Sequence, residues 1–171
     1  ASGSDYTSVW LVVWGPSSAH GIYPKGSKAG LSVEDLGRVT IENVDGANGR
    51  MEGYRTHYKW DCGFSLRDWR YVVRIANVDI SRMTALTSTS GTNLIDCMTQ
   101  ALELPPSLSG GTPAFYCSRS IRSYLRRQIT NATVNSTLSM DTVAGRKVVT
   151  FGDVPVYRTD ALIHTESAVG A

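Results

Sequence analysis

Residues 21–28, GIYPKGSK, have the glycine spacing of a phosphate-binding loop. In such a loop a lysine directly follows the second glycine and a hydroxyl residue comes next, at the start of a helix whose backbone amides hold the phosphate. Here Ser27 precedes Lys28, and Pro24 removes one amide. We therefore interpret the segment as a surface loop and predict no bound cofactor.

His57, Asp61 and Cys62 are close enough in sequence to suggest a metal site. His57 and Asp61 occupy odd positions of an alternating segment and share one face of a strand, whereas Cys62 points to the other face. The three side chains would not converge on one ion. The chain also contains no C-x-x-C, H-x-x-x-H or H-E-x-x-H pattern. We predict no metal site, and interpret His57 as structural and Cys62 as a core residue.

Nucleophilic catalysis would require a triad such as Cys117, His164 and Asp160. A chain with three cysteines and three histidines allows several such combinations without any of them being real. There is also no G-x-S-x-G motif that would present a serine nucleophile. We predict no catalytic residues and expect the protein not to be an enzyme.

A cluster of arginines is the strongest candidate for an interaction surface. It consists of Arg119, Arg122, Arg126 and Arg127, and the first three of these share one stripe of a predicted helix. Like charges at this spacing repel one another by a few tenths of a kcal/mol per pair. Three interpretations are open: a solvated face paired with local carboxylates such as Asp141 or Glu103, an ion-pair seam between subunits, and a site for nucleic acid phosphate.

Residues 53–79 hold six of the fifteen aromatic residues in a strongly alternating pattern. A period of two predicts strands with one aromatic face and one charged face, with a bend near Arg67. Aromatic residues interleaved with arginine could stack nucleic acid bases. We favour the core instead, because buried packing is the commoner role of such stripes. The residues predicted to be buried are Tyr58, Trp60, Trp69 and Tyr71.

The remaining pattern predicts strands in the first half of the chain and helices with strands in the second. A buried strand at 9–14 precedes a loop at 15–30, one helical turn at 32–35 that Gly37 ends, and a strand at 38–44 that forms a meander with the aromatic strands. Further predictions are a turn at 45–49, a helix from Leu94 to Leu102, a strand at 114–117, a helix near 118–130, and strands at 147–151 and 154–158 around a type II′ turn at Gly152 and Asp153.

Composition narrows the possible classes of protein. With 42% hydrophobic and 19% charged residues the chain is ordinary globular material, and a net charge of +2 is too small to indicate nucleic acid binding by itself. Its longest apolar run, at 9–14, is far shorter than the roughly 20 residues that cross a bilayer, so we predict no membrane partner. The three cysteines, Cys62, Cys97 and Cys117, are expected to be buried thiols.

Residues 53–79, together with WGPSSAHGIYPKGSKAGLSVEDLG at 14–37, resemble the C-terminal half of major capsid proteins of tailed bacteriophages or prophages. The resemblance implies an α/β (α+β) capsid fold, with a mixed sheet and flanking helices. It also implies peripheral-domain sheet and loop elements at 1–83 and an axial domain at 84–171. The implied function is that of a structural subunit that assembles into pentamers and hexamers around DNA. The alternative is a sheet-based nucleic-acid-binding domain with arginine and aromatic contacts.

The resemblance also implies the partners. They are other copies of the chain in capsomers and packaged DNA through non-specific contact, with the protein in the virion and, during assembly, in the host cytoplasm. The family's extended N-terminal arm, long hairpin loop and spine helix belong to its N-terminal half, and we expect none of them here. We therefore expect a fragment that is a monomer or a small ring and does not close into shells.

Overall fold

A computed structural model describes residues 5–26, 30–83, 94–131, 138–143 and 146–170. The chain divides into two compact units. We call Ala1–His20 with Leu66–Ala171 the sheet unit, and Gly21–Ser65 the hairpin unit. The elements, in chain order, are β1 (Tyr6–Trp14), β2 (Ala19–Ile22), β3 (Leu31–Glu42), β4 (Arg50–Trp60), β5 (Gly63–Leu66), β6 (Val72–Asp79), α1 (Leu94–Glu103), β7 (Thr112–Cys117), α2 (Arg119–Asn131), β8 (Leu138–Val143), β9 (Arg146–Phe151) and β10 (Val154–Arg158).

The larger sheet has the order β5–β2–β1–β7–β10–β9–β8, and β6 also pairs with β1. It is a mixed sheet: β1 is antiparallel to β6 and β7, whereas β10 is parallel to β7. Strands β9 and β10 form a hairpin in which Phe151 pairs with Val154. The two residues between them begin with Gly152 at φ +58°, as a type II′ turn requires. The predicted turn and the predicted mixed α+β fold class are confirmed.

The core lies between this sheet and the two helices. Val9 and Leu11 of β1 and Phe115 of β7 are fully buried and pack in one cluster with Met98 of α1 and Leu125 of α2. Successive side chains point to opposite faces of a sheet, so β10 buries alternate residues, whereas β1 is covered on both faces and buries two runs of three residues. The rings of Phe115 and Phe151 meet edge to face at 5.9 Å, an arrangement that aromatic pairs prefer.

After β10, the described residues 159–170 include no helix or strand, but hydrogen bonds attach this segment to β1 and β6. The Glu166 carboxylate accepts hydrogen bonds from Ser8 Oγ and from Arg74 Nη2, both at 2.9 Å. The Glu166 backbone N–H donates to the carbonyl oxygen of Tyr6 at 3.0 Å. Further along, the Asn77 side chain exchanges two hydrogen bonds of 2.8 Å with the backbone of Val169. These bonds hold the segment to β1 and β6 of the sheet unit.

The hairpin unit is built on the antiparallel pair β3 and β4, which forms a separate two-stranded sheet. Its turn is closed by a hydrogen bond from Val44 N–H to the Gly49 carbonyl oxygen at 3.3 Å. Asn43 and Asn48 adopt positive φ there, a conformation that asparagine tolerates better than most residues. The predicted strand at 38–44 and the predicted turn at 45–49 are thus confirmed. With 12 and 11 residues, β3 and β4 are longer than the strands that the sequence pattern predicted.

The apolar side of this hairpin changes face along its length. The register shifts between Asp35 and Arg38, where Gly37 has φ +70°. On the side of the shift that is away from the turn, one face carries the apolar cross-strand pairs Leu31 with Trp60 and Val33 with Tyr58. Beyond it, the apolar pair Ile41 with Met51 lies on the opposite face, while the first face carries the ion pairs Arg38 with Glu52 and Arg50 with Glu42.

Several predictions made from the sequence are wrong. The helical turn at 32–35 is part of β3, because these residues pair with β4. The loop predicted at 15–30 contains β2, and its residues 27–29 lie outside the described residues. Strand β8 was not predicted. Tyr58, Trp60 and Trp69 are exposed by 64%, 67% and 76% instead of being buried, and only Tyr71 is half-buried.

Candidate subunit interface

Helix α2 is fixed to the sheet unit by its apolar stripe. Ile121 and Leu125, one helical turn apart, are fully buried in the core cluster, and Tyr124 and Ile129 pack partly against it. The helix begins after Ser118, whose carbonyl oxygen accepts a hydrogen bond from Arg122 N–H at 3.1 Å. This attachment fixes the orientation of the helix, and thus the direction in which its arginines point.

The four predicted arginines do not form one uniform surface. Arg119, Arg126 and Arg127 are exposed, whereas Arg122 is half-buried. Arg119 donates to Asp160 at 3.2 Å, and Arg158 lies 3.7 Å from the same carboxylate. Arg119 is thus paired with a local carboxylate, as the first interpretation of the cluster expected, but with Asp160, which was not among the suggested examples. The Nε atom of Arg122 is buried without a hydrogen-bond partner among the described residues.

A pocket of about 380 Å³ lies beside α2. Its apolar lining comes from Ile80 and Met83, which follow β6, and from Ile121 and Tyr124 of α2. Arg119 and Arg127 also line it, and the remaining lining residues are Ser120 and Ser123. Among the described residues no carboxylate lines this pocket, and α2 contains no acidic residue. It can therefore accept an apolar group that carries a negative charge beside it.

Two apolar residues of the pocket lining, Ile80 and Met83, were not predicted from the sequence. Both residues follow β6: Met83 is the last residue of a short 3₁₀ helix at Ser81–Met83, and Ile80 comes directly before that helix. The sequence shows only that two apolar residues follow the end of a strand. The helical periodicity that located the other apolar lining residues in α2 does not extend to these two. The arginine cluster was predicted from its spacing on a helix, and all four arginines do lie in α2.

Within the part of the chain that it describes, the structure does not bring together the other candidate groups that the sequence suggested. Gly21 lies in β2, the described chain beyond residue 30 continues as strand β3, and Ser27 and Lys28 fall outside the described residues. Among the described residues no three histidine, cysteine, aspartate or glutamate side chains cluster as metal ligands would. His57 is exposed, and Cys62 is exposed as well, which contradicts its interpretation as a core residue.

Cys117 is buried, and its surroundings suit a packed thiol. Its Sγ atom lies 3.7 Å from the carbonyl oxygen of Tyr157. Burial raises the pKa of Cys117 to about 12, against a smaller opposing influence of Arg122. A thiol with this pKa is almost entirely protonated near neutral pH and is a poor nucleophile. Asp160 pairs with two arginines, and His164 makes no hydrogen bond to it or to Cys117.

Neither α1 nor α2, the α-helices of the described part of the chain, has the length and hydrophobicity of a transmembrane segment.

A family model described as Major capsid protein GP7 matches residues 1–170. The chain belongs to the GP7 major capsid protein family. Among solved structures, a chain of the near-atomic-resolution structure of bacteriophage Epsilon15, derived from cryo-EM and modelling, is similar to it, with 33% sequence identity and a TM-score of 0.60. The similarity covers 100% of this chain and 51% of the Epsilon15 chain, so this chain spans about half the length of that relative. No curated protein matches the chain at a comparable level.

Membership of the GP7 family confirms the resemblance that residues 14–37 and 53–79 suggested. It also allows the exposed surfaces of the molecule to be interpreted, because capsid proteins of this family are structural. In a structural protein, exposed apolar and arginine-lined surfaces are where contacts between copies would form. The pocket beside α2 and the exposed faces of the hairpin unit are two surfaces of this kind.

Proposed function

We propose that the chain forms part of a structural subunit of an icosahedral phage capsid, which assembles with copies of itself into pentamers and hexamers that enclose DNA. The observation that carries this proposal is the match of the GP7 family over residues 1–170, together with the structural similarity to the Epsilon15 chain. The proposed location is the virion, preceded by the host cytoplasm during assembly. Packaged DNA would be touched only through non-specific contacts.

Within that subunit, we assign the arginine cluster of α2 to contacts between copies. The cluster of Arg119, Arg122, Arg126 and Arg127 occurs on a helix without acidic residues, next to a pocket whose described lining has no carboxylate. An interface that supplied carboxylates would offset the repulsion among these charges. The assignment of residues 1–83 to the peripheral domain and 84–171 to the axial domain stays a prediction, since the two compact units divide the chain at other positions.

The competing function is nucleic acid binding through aromatic and arginine contacts, and the exposure of the hairpin aromatics favours it. Tyr58 and Trp60 are exposed, as base stacking would require. However, their face of the ribbon also carries Leu31 and Val33, and its cations Arg38 and Arg50 are already ion paired with carboxylates. Arg55, His57 and Lys59 lie on the opposite face. Stacked bases need cations near their phosphates on the same surface. An apolar face backed by charge suits a protein contact better.

Two measurements test the proposal. Electron microscopy of particles formed by the complete gene product should show closed shells, and their absence under conditions where the protein is folded would overturn the capsid assignment. Sedimentation of the 171-residue chain across a range of salt, with and without a single-stranded oligonucleotide, tests the alternative. We expect a monomer or small ring that the oligonucleotide does not shift. A salt-sensitive complex with the oligonucleotide and no self-association would favour the nucleic acid binder.

A further inference from the structure

We propose that the pocket beside α2 receives the hairpin tip of a neighbouring copy of this chain. By hairpin tip we mean residues 42–50, the turn between β3 and β4 with its flanking residues. The inference rests on the proposed function, because it names the partner of the arginine cluster within a capsid assembly. It adds a specific pairing of two surfaces that lie in different compact units.

The pocket limits the chemistry of its occupant. Its lining of Ile80, Met83 and Tyr124 offers apolar contacts that a bare phosphate group would not use. At its edge Arg127 has no ion-pair partner among the described residues, whereas Arg119 is already paired with Asp160. An occupant should therefore place one apolar side chain into the pocket and one carboxylate near Arg127. A carboxylate that meets an arginine forms a charge-assisted hydrogen bond.

The hairpin tip carries these two groups side by side. Val44 is 52% exposed, a large exposure for an apolar residue in a closed turn. Asp45 accepts hydrogen bonds from the backbone N–H groups of Ala47 and Gly49, both at 2.9 Å. These bonds, that from Ala47 first, lower the pKa of Asp45, so its carboxylate stays charged. They leave its second oxygen without a partner among the described residues.

The charges of the tip and of α2 have opposite signs. In the tip, Arg50 lies 3.3 Å from Glu42 and balances it, so Asp45 supplies the net negative charge. Helix α2 has four arginines and no acidic residue. Attraction between the two surfaces would also orient an approaching copy. The turn is preorganised by its own hydrogen bonds, so docking does not require it to change shape.

This contact would join two different surfaces, and it is therefore heterologous. A heterologous contact repeated around a closed rotation generates a ring, and capsomers are rings of this kind. The small size of the pocket implies a weak contact that dissociates on dilution. The test must therefore detect a transient contact and not only a stable oligomer.

Disulfide trapping meets this need. In a Cys62→Ser background, which removes the exposed native thiol, one protein would carry Val44→Cys and a second would carry Ser123→Cys. Mixed at about 1 mM, a concentration that populates even millimolar contacts, they should form a covalent dimer under mild oxidation. Each protein alone and the Cys62→Ser parent should form none. A matched control replaces Val44→Cys by Ser32→Cys, an exposed position far from the tip in the same hairpin, and should trap at least about tenfold less.

Charge variants show whether the trapped contact is the proposed one. Arg127→Asp in the Ser123→Cys protein should lower the trapping yield at least about tenfold. Asp45→Asn in the Val44→Cys protein, which keeps an acceptor for the turn but removes the charge, should lower it several-fold. Near-normal trapping with both variants would overturn the proposal. So would an oligothymidine that blocks trapping while Asp45→Asn has no effect, because the pocket would then bind phosphate.

Sedimentation of the unmodified protein at the same concentration separates this inference from the function on which it rests. Self-association without trapping between residues 44 and 123 would show that copies meet elsewhere, and would overturn only the pairing of tip and pocket. Absence of both self-association and trapping would also overturn the pairing of tip and pocket, and would leave the capsid assignment unaffected, because that assignment is tested on closed shells of the complete gene product. Trapping within one copy is excluded by the design, because each protein in the mixture carries only one of the two new cysteines.

Discussion

The sheet unit and the hairpin unit are both built mainly from strands, but they differ in what covers their apolar side chains. In the sheet unit, α1 and α2 lie on one face, and Phe115 and Leu125 are completely buried between helix and sheet. In the hairpin unit, Trp60 and Tyr58 lie on a two-stranded ribbon and are mostly exposed. Isolated two-stranded hairpins are marginally stable in water. The sheet unit therefore holds the stability of the fold, and the hairpin unit presents surface.

The same contrast explains where contacts between copies should form. The core cluster of the sheet unit is already covered by two helices, and the pocket beside α2 is a place where apolar side chains next to that cluster line an opening. The hairpin offers apolar pairs on both of its faces, on either side of the register shift near Gly37. Opposite apolar faces on one ribbon allow it to contact two different surfaces. The predictions below test whether the units differ in stability as their burial implies.

The largest expected effect is the loss of folding when a charge enters the helix–sheet core. Leu125→Asp places a carboxylate without a partner among fully buried side chains, and we expect it to cost more than about 4 kcal/mol and to unfold the sheet unit. Ile121→Asp should do the same. Circular dichroism and thermal unfolding measure the effect. Arg122→Ala on the same helix should leave the protein folded, and equal damage from it would mean that α2 faces the sheet differently.

A matched pair of aromatic truncations compares the two units directly. Phe115→Ala removes a fully buried ring that contacts Phe151, and we expect a loss of about 3–5 kcal/mol in the free energy of unfolding. Trp60→Ala removes a larger ring that is 67% exposed, and should change stability by no more than about 0.5 kcal/mol. Urea titration of both variants decides the comparison. A loss of several kcal/mol for Trp60→Ala in the isolated chain would mean that its ring is covered in solution.

The hairpin strand at Trp60 and helix α2 show how much could be predicted from the sequence. The alternation at Trp60 correctly indicated a strand and the face on which the aromatic residues lie. It could not indicate that nothing covers that face, because a period of two reports direction within a strand and not what packs on it. The apolar spacing of Ile121 and Leu125 located a helix and its buried side together. There the prediction succeeded because one amphipathic helix carries both pieces of information.

The errors in local structure have a similar physical origin. Residues 32–35, SVED, resemble the start of a helix, but the cross-strand pair of Val33 with Tyr58 holds them in β3. The pocket was beyond prediction, since Ile80 and Tyr124 meet in it from distant parts of the sequence. By contrast the type II′ turn at Gly152 was predicted correctly, because its geometry depends on adjacent residues alone.

The cysteines compare the two units by chemical reactivity and by pH dependence. Cys62 of the hairpin unit is exposed and should react with iodoacetamide in the folded protein, whereas Cys117 should react only after unfolding. Burial raises the pKa of Cys117 to about 12, so its contribution to stability is complete below the pKa of an unfolded thiol. It is lost as the pH rises from about 9 towards 12, at up to about 1.4 kcal/mol per pH unit. Urea unfolding across this range should show a flatter decline for Cys117→Ala, and an equal decline would contradict the assignment.

The smallest expected effect concerns two buried threonines of the sheet unit, which test whether its interior is fully hydrogen bonded. Thr150 Oγ1 lies 2.7 Å from Ser139 Oγ and 3.2 Å from the Ser139 carbonyl oxygen, so Thr150→Val should cost about 1 kcal/mol. Thr7 Oγ1 is buried without a partner among the described residues, so Thr7→Val removes a desolvated hydroxyl at nearly constant shape. We expect Thr7→Val to leave the free energy of unfolding unchanged or to raise it by up to about 1 kcal/mol. Denaturant titration of the two variants side by side measures the difference. A cost for Thr7→Val as large as that for Thr150→Val would mean that the Thr7 hydroxyl is hydrogen bonded in solution.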